Sequence, residues 1–570
     1  MRVPVIAFVR SIFVVVVVLM AQTKASAEEL PGRYYELMAA EIKTIEAATE
    51  LPSSPAAMFT AAVLYTQQHP ANPSYGDRQL LELALQIGDR VARSSDLDMA
   101  EDRQDYEWEI HFWLDAYRLL EADLDGQRRQ QWGKALTKNI DWFVPQVEVR
   151  IEFPRYQGPF IRTSTNHYAL WCSAVHQAGR VLKNKEWEAL GARSMHRLAA
   201  EEQTTDGYWG EHTDNGPATG YNYITMACVG LYWENSHDDA ALEALRRSTD
   251  FHKYFTWRDG TPVETINGRN RHWRVSSWGH FGFSHWSDGR RYAEFLTRIV
   301  AARGVQLREL GRIAQNALYY HEGPVGVIPQ DQDRFAYQME VPAGIRRGKP
   351  WTICLSGLFD SPTISQFTLD RQGTLSIDHD QLGRVVTGAN SKHQPELATF
   401  AETADGQVTS VPFNSRLRMS DESDRLGMAH RRFFAVLNVA PPQPKRLDFS
   451  FEIVEQGHGR MKDVTLNLQL VLKSGDILET AHAKIVLGSD HVELEPDEIG
   501  GWIRHRGWTL HVDPTARLTW PVFGFNPYRN APETELQYAV GLLSVPIKLQ
   551  PPPHGPLNWR RQKIAFGLEK

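Results

Sequence analysis

The chain has 570 residues, more than one compact hydrophobic core ordinarily serves, so two domains are expected. Its 62 basic and 69 acidic side chains leave a net charge of −7, which excludes a generally basic nucleic-acid binder and confines any anion site to a local cluster. Aromatic residues make up 11% and include 17 Trp, a loading that suits large cores or flat surfaces on which sugar rings stack.

The N-terminal stretch reads as an export signal. Arg2 and Arg10 precede an unbroken apolar run from Ile12 to Ala21, and Ala25-Ser26-Ala27 is a small-residue cleavage site. The mature chain is expected to begin at Glu28, as a periplasmic or secreted bacterial protein. No membrane attachment is expected after cleavage, because the run falls short of the roughly 20 apolar residues that a bilayer span needs. Cys172, Cys228 and Cys354 are too few and too scattered for a disulfide framework or a metal knuckle. Cys172 and Cys228 read as buried small hydrophobes, with a bridge between them left open by an oxidising compartment.

From Leu30 to about Tyr320 the apolar spacing is helical. Leu80 to Val91, Tyr106 to Leu120, Gln130 to Phe143, Tyr168 to Leu182, Trp187 to Ala200, Tyr223 to Trp233, Ala240 to Phe255, Arg290 to Ala302 and Leu307 to Tyr319 each carry Leu, Ala, Trp and Phe at three- and four-residue intervals. Clusters such as Pro70-Ala71-Asn72-Pro73 and Asp214-Asn215-Gly216-Pro217 break them. Successive helices without a visible repeat suggest a toroid of helical pairs rather than a solenoid. Around His321 to Pro329 the texture changes. Leu447 to Val454, Val464 to Leu472 and Ala483 to Leu487 alternate with a period of two and read as strands of packed antiparallel sheets. The expected organisation is a signal peptide at 1–27, a helical toroid at 28–322 and an antiparallel β-sandwich domain at 323–570.

Three stretches carry the chemistry. Arg162-Thr163-Ser164-Thr165-Asn166-His167 opens an apolar helix; Asp206-Gly207-Tyr208-Trp209-Gly210-Glu211-His212 leads to Tyr221-Asn222-Tyr223; and Gly268-Arg269-Asn270-Arg271-His272-Trp273-Arg274 is a basic and aromatic knot. Uronic-acid polymers are cut by β-elimination when a proton leaves the carbon beside the carboxylate and the oxygen on the next carbon departs. That needs an amide or cation to neutralise the carboxylate, a base, and an acid for the leaving oxygen. Asn166, His212 and Tyr221 supply this inventory.

Asp206-Gly207-Tyr208-Trp209-Gly210-Glu211-His212-Thr213 and Thr219-Gly220-Tyr221 resemble the signature of the polysaccharide lyases that include hyaluronate, chondroitin AC and xanthan lyases, with the same nine-residue interval from His to Tyr. Asn166 falls about where that family places its carboxylate-binding Asn. Gly268-Arg269 with Arg274 resembles its Gly-Arg…Arg element, although Arg274 lies five positions after Arg269 where the family has four, leaving Arg271 as a competitor. The resemblance implies an incomplete α/α toroid followed by antiparallel sheets. It also implies Tyr221 as the proton-transferring residue, His212 as its assistant, Asn166 on the carboxylate, and Arg269 and Arg274 managing charge. Heparinase II/III-like and alginate lyases are a second resemblance, in which an Asn-His pair opens a helix and a Tyr follows a little over fifty residues later. Asn166-His167 with Tyr221 or Tyr223 fits that pattern and makes His167 the rival of His212.

His167, Trp209, Tyr223, Arg271, Trp273 and His280 are further candidates for holding substrate. Tyr221 and Tyr223, two apart at a helix start, cannot face the same way, and Tyr221 is preferred. His280 and His285 lie at no metal-binding interval, and neither a HExxH motif nor a Cys pair points to zinc. No cofactor is required by the chemistry, which leaves room for a structural divalent cation. The expected partner is an acidic polysaccharide, not nucleic acid. Two other readings stand beside this one: an α/α-barrel glycoside hydrolase using Asp206, Glu211, Asp214 or Glu264 as acid and base, and a secreted glycan-binding protein without chemistry.

Overall fold

A computed structural model describes residues 29–94, 103–153, 165–211, 216–269, 274–359, 365–370, 373–404, 407–409, 411–455, 463–549 and 560–570. The signal peptide, Arg162, His212, Asp214, Arg271 and Trp273 lie outside the described residues. The chain divides into two units. One takes Met1–Thr213, Gly220–Lys253 and Val275–Ile328, and the other takes Asp214–Thr219, Tyr254–Arg274 and Pro329–Lys570. Two short segments of the helical half therefore sort with the sheets, and the main boundary falls at Ile328 rather than 322.

The first unit is built from helices α1 (Glu29–Glu46), α2 (Pro55–Thr66), α3 (Arg78–Ser94), α4 (Arg103–Leu120), α5 (Gly126–Ile151), α6 (Thr165–Val181), α7 (Lys185–Ala200), α8 (Thr219–Ser236), α9 (Asp239–Tyr254), α10 (His280–Phe283), α11 (Ser287–Arg303) and α12 (Leu307–Leu318). Each helical segment expected from periodicity is present. α1 and α2 were not singled out, and α2 shows why: Pro55 to Leu64 are all buried, so it is apolar all round and has no polar face to make a period visible.

α4, α6 and α8 run parallel to one another. Glu107 and His111 of α4 meet His167 and Gln177 of α6, and Ser173 and His176 of α6 meet Cys228 and Tyr232 of α8, with both indices rising together. Between them the chain returns through antiparallel helices packed close enough to exclude a side chain. A Cβ on Gly179 would lie 2.2 Å from the backbone of Glu188, and one on Gly191 would lie 2.4 Å from that of His176. α12 packs back on α1 and α2, and Tyr34 of α1 hydrogen-bonds with His280 and Thr297, so the series of helical pairs closes on its beginning. Cys172 and Cys228 are buried free thiols and not a bridge; burial pushes Cys172 up to about 12 and Cys228 higher still. No described helix is long and apolar enough to cross a membrane.

The second unit holds an eleven-stranded sheet, a nine-stranded sheet and a two-stranded ribbon among the described residues, with every pairing antiparallel. Strand Phe433–Val439 alternates buried and half-buried residues without a break. Strand Arg446–Glu455 pairs with Arg561–Glu569 so that Phe449 lies opposite Phe566, their rings stacked with centroids 5.0 Å apart. Residues of both large sheets, among them Ile353, Leu468, Leu437 and Phe451, share one hydrophobic core.

Candidate active site

α6 begins at Thr165, and its first turn carries Asn166 and His167. Two local hydrogen bonds fix what surrounds that turn. The Thr165 hydroxyl donates to the Gly210 carbonyl at 2.5 Å, and the Trp209 amide donates to Asn222 Oδ1 at 2.9 Å. The start of α6, the Asp206–Glu211 stretch and the start of α8 are thereby laced together. Because Ser173 touches Cys228 along parallel helices, stepping back two turns from each places Asn166 and Tyr221 at the same level.

The Asp206 stretch folds as it does because of Gly207, whose φ is +86° and whose Cβ, if present, would lie 2.2 Å from the Arg247 carbonyl. The turn closes on Thr204, whose amide and hydroxyl both donate to the Tyr208 carbonyl, at 2.9 and 2.8 Å. Behind it, Asn222 Nδ2 donates to His252 Nε2 at 2.9 Å. His252 is buried and pushed down to about 3 by the loss of water, so its Nε2 stays a neutral acceptor.

Hydrogen bonds fix the orientation of His167. Its Nδ1 hydrogen-bonds Glu107 of α4, and Glu107 accepts a second bond from Trp171 Nε1 at 2.7 Å. A carboxylate on Nδ1 selects the tautomer whose Nε2 carries the lone pair, which is the arrangement of a base held by an orienting acid. Trp108 stands edge-on to the imidazole at 5.4 Å, and Trp171 and Trp278 extend the aromatic surface. The His167 side chain is 26% exposed and that of Glu107 is 5%.

A cleft of about 730 Å³ shares Trp108 and Trp278 with this aromatic surface. Trp108, Phe112, Trp278 and Ile224 line it, with Ile224 one turn from Tyr221 on α8, and Arg308 and Arg312 add positive charge against one carboxylate, Glu109. The Arg312 guanidinium lies 4.2 Å from the Trp278 ring centroid. Burial brings Arg312 down to about 10, so it keeps its charge near neutral pH.

Several expected residues are placed elsewhere. Tyr223 is core and not a substrate contact: fully buried, its hydroxyl lies 2.6 Å from that of Tyr292 and its ring stacks on His252 at 3.7 Å. Trp209 is also core, its indole N–H donating to the Leu198 carbonyl at 2.9 Å. His280 is buried with Nε2 on the Ser276 carbonyl and Nδ1 on Thr297, which removes it from the substrate-binding set. Tyr221 is half-buried at the start of α8, while Asn166 is only 1% exposed. His167 and Tyr221 are thus the two groups at these helix starts that keep access to solvent.

Arg269 and Arg274 belong to the second unit. Arg269 is buried, with its guanidinium 5.2 Å from the Phe367 ring centroid, and Arg274 is exposed. Glu264, also in that unit, is bound by Arg384, Ser376, Thr387 and Trp257. Burial by itself would raise its carboxyl, yet these partners hold it below the ordinary range. Asp206 and Glu211 are buried as well.

Glu107, Trp108 and Trp171 were missed. A signal was present: Glu107, His111 and Asp115 form a stripe of ionisable residues four apart on an apolar helix, and all three are buried.

No protein-family description matches the sequence, and no curated protein does. Solved structures do. Xanthan lyase from Paenibacillus superposes at a TM-score of 0.51 with 11% identity, over 96% of this chain and 60% of that one. Chondroitin AC lyase from Streptomyces coelicolor A3 gives 0.49 with 12% identity over 95% and 79%. Heparan sulfate lyase HepC from Pedobacter heparinus gives 0.47 with 11% identity over 90% and 75%. The chain has a polysaccharide-lyase fold. It spans about three-fifths of the length of the xanthan lyase.

Proposed function

We propose that this protein is an exported polysaccharide lyase that cuts a uronic-acid-containing polymer by β-elimination, leaving 4,5-unsaturated uronate ends. The observation that carries the reading is His167, held by a buried Glu107, in ring contact with Trp108 of an aromatic cleft wall and level with Tyr221 on the neighbouring parallel helix. In this reading His167 Nε2 removes the proton beside the carboxylate, and Tyr221 delivers one to the departing oxygen. Asn166 polarises the carboxylate as the negative charge spreads onto it. Trp108 and Trp278 offer flat apolar faces to sugar rings, and Arg308 and Arg312 suit an acidic chain. The leader at 1–27 supports a periplasmic or secreted location.

Mass analysis of the products tests the chemistry. Elimination gives fragments whose new non-reducing end is one water lighter than the hydrolysis product. Fragments carrying the added water would return the protein to the hydrolase reading, and binding without cleavage would leave only a glycan-binding module.

A further inference from the structure

We propose that Glu234, His285 and His321 form a divalent-metal site, best suited to zinc, that clips together three helix ends of the first unit away from the lyase site. The claim stands whether or not the lyase reading holds. Glu234 lies in the last turn of α8, His285 in the connection between α10 and α11, and His321 just past α12. Their ligand atoms all fall within 4.8 Å of one another. His321 Nε2 is 2.6 Å from Glu234 Oε1, His285 Nε2 is 3.9 Å from the same oxygen, and the two imidazole centroids are 4.2 Å apart.

Two features separate this cluster from an ordinary surface ion pair. The His285 side chain is 7% exposed, yet its Nε2 has no hydrogen-bond partner, although buried polar atoms are nearly always satisfied. That nitrogen faces the carboxylate and the second imidazole, where an ion would give it a bond. Second, Trp233 walls the site, its ring 4.5 Å from that of His285 and 5.5 Å from that of His321. Arg290, a neighbouring cation, is committed to the Ser284 and Pro324 carbonyls at 2.6 and 2.8 Å.

Two imidazoles and one carboxylate are a borderline-soft donor set that favours zinc over calcium or magnesium. Bond lengths of about 2.0–2.1 Å set tetrahedral ligand atoms roughly 3.3–3.5 Å apart. Reaching that spacing needs the Glu234–His321 pair to open and the Glu234–His285 pair to close, each by under about 1 Å. Water would complete the shell. Thirteen residues of α8 separate Glu234 from Tyr221, about 20 Å at 1.5 Å per residue, so the ion would brace the helical unit and take no part in elimination.

The test uses the full-length mature protein without an affinity tag, stripped with a chelator and titrated with zinc chloride by calorimetry, with thermal unfolding measured alongside. One zinc per chain and a melting point raised by several degrees are expected. Glu234→Gln, His285→Gln and His321→Gln should each weaken binding at least tenfold and remove the thermal shift. His321 is the most exposed of the three, so its variant carries the test if His285→Gln does not fold. No stoichiometric binding by the parent protein, or binding unchanged in the His321 and Glu234 variants, would overturn the proposal.

Discussion

Glu107 and His167 are sixty residues apart in sequence and in hydrogen-bond contact in the fold, and the rate of the reaction should depend on that contact. A His whose Nδ1 rests on a carboxylate has its tautomer chosen before substrate arrives. Glu107→Gln keeps the shape but removes the charge, and it should lower kcat by roughly 10²–10⁴-fold with little change in KM. Steady-state kinetics on a cleaved polymer would show it; an unchanged kcat would remove His167 from the chemistry. Tyr221→Phe deletes one oxygen and should abolish turnover while leaving polymer binding close to normal by calorimetry. The candidate Tyr and Asn were legible because motif spacing displays them. Glu107 was not, since only the parallel docking of α4 on α6 brings it to His167. Tyr223 illustrates the opposite case: two residues beyond Tyr221 on a helix, it points into the core, as helical geometry dictates.

At the scale of single elements, the turn at Asp206-Gly207 shows how a signature can be conformational as well as chemical. Gly207 adopts a left-handed φ against a backbone carbonyl of α9, so Gly207→Ala should destabilise the protein by at least about 1–3 kcal/mol. It should also lower activity more than the loss of folded protein explains, because the same stretch anchors Thr165 and Asn222. A urea midpoint equal to that of the parent would contradict this. Helices with one polar face were visible in the sequence through their period. α2 was hidden because burial on every side erases the contrast, and many strands of the second unit were hidden because three to five residues, as in Val492–Leu494, hold too few alternations to count.

For the whole molecule, the order of a helical unit and then antiparallel sheets was readable from the change of period near residue 323. The sorting of 254–274 with the sheets was not, because tertiary contacts decide it. Stability should carry a clear acid limit. His252 and His280 are buried and lowered to about 3 and about 4, so the unfolded chain binds protons that the folded chain refuses. Their contribution is full above pH 6.5 and declines as pH falls toward those values, by about 1.4 kcal/mol per pH unit for each histidine. Urea midpoints measured from pH 7.5 to 4.5 should fall, and less steeply in His280→Gln. A flat profile would show that the native state accommodates the charge.

The proposed reaction is defined by the bond that breaks and by the double bond it leaves behind. Incubating the purified protein with glycosaminoglycans, xanthan-type chains, glucuronan and alginate, and following ultraviolet absorbance from a new C4–C5 double bond, tests it most directly. Absorbance should rise with at least one uronate polymer, in step with new reducing ends, and Tyr221→Phe should stop both. New reducing ends without absorbance would contradict it.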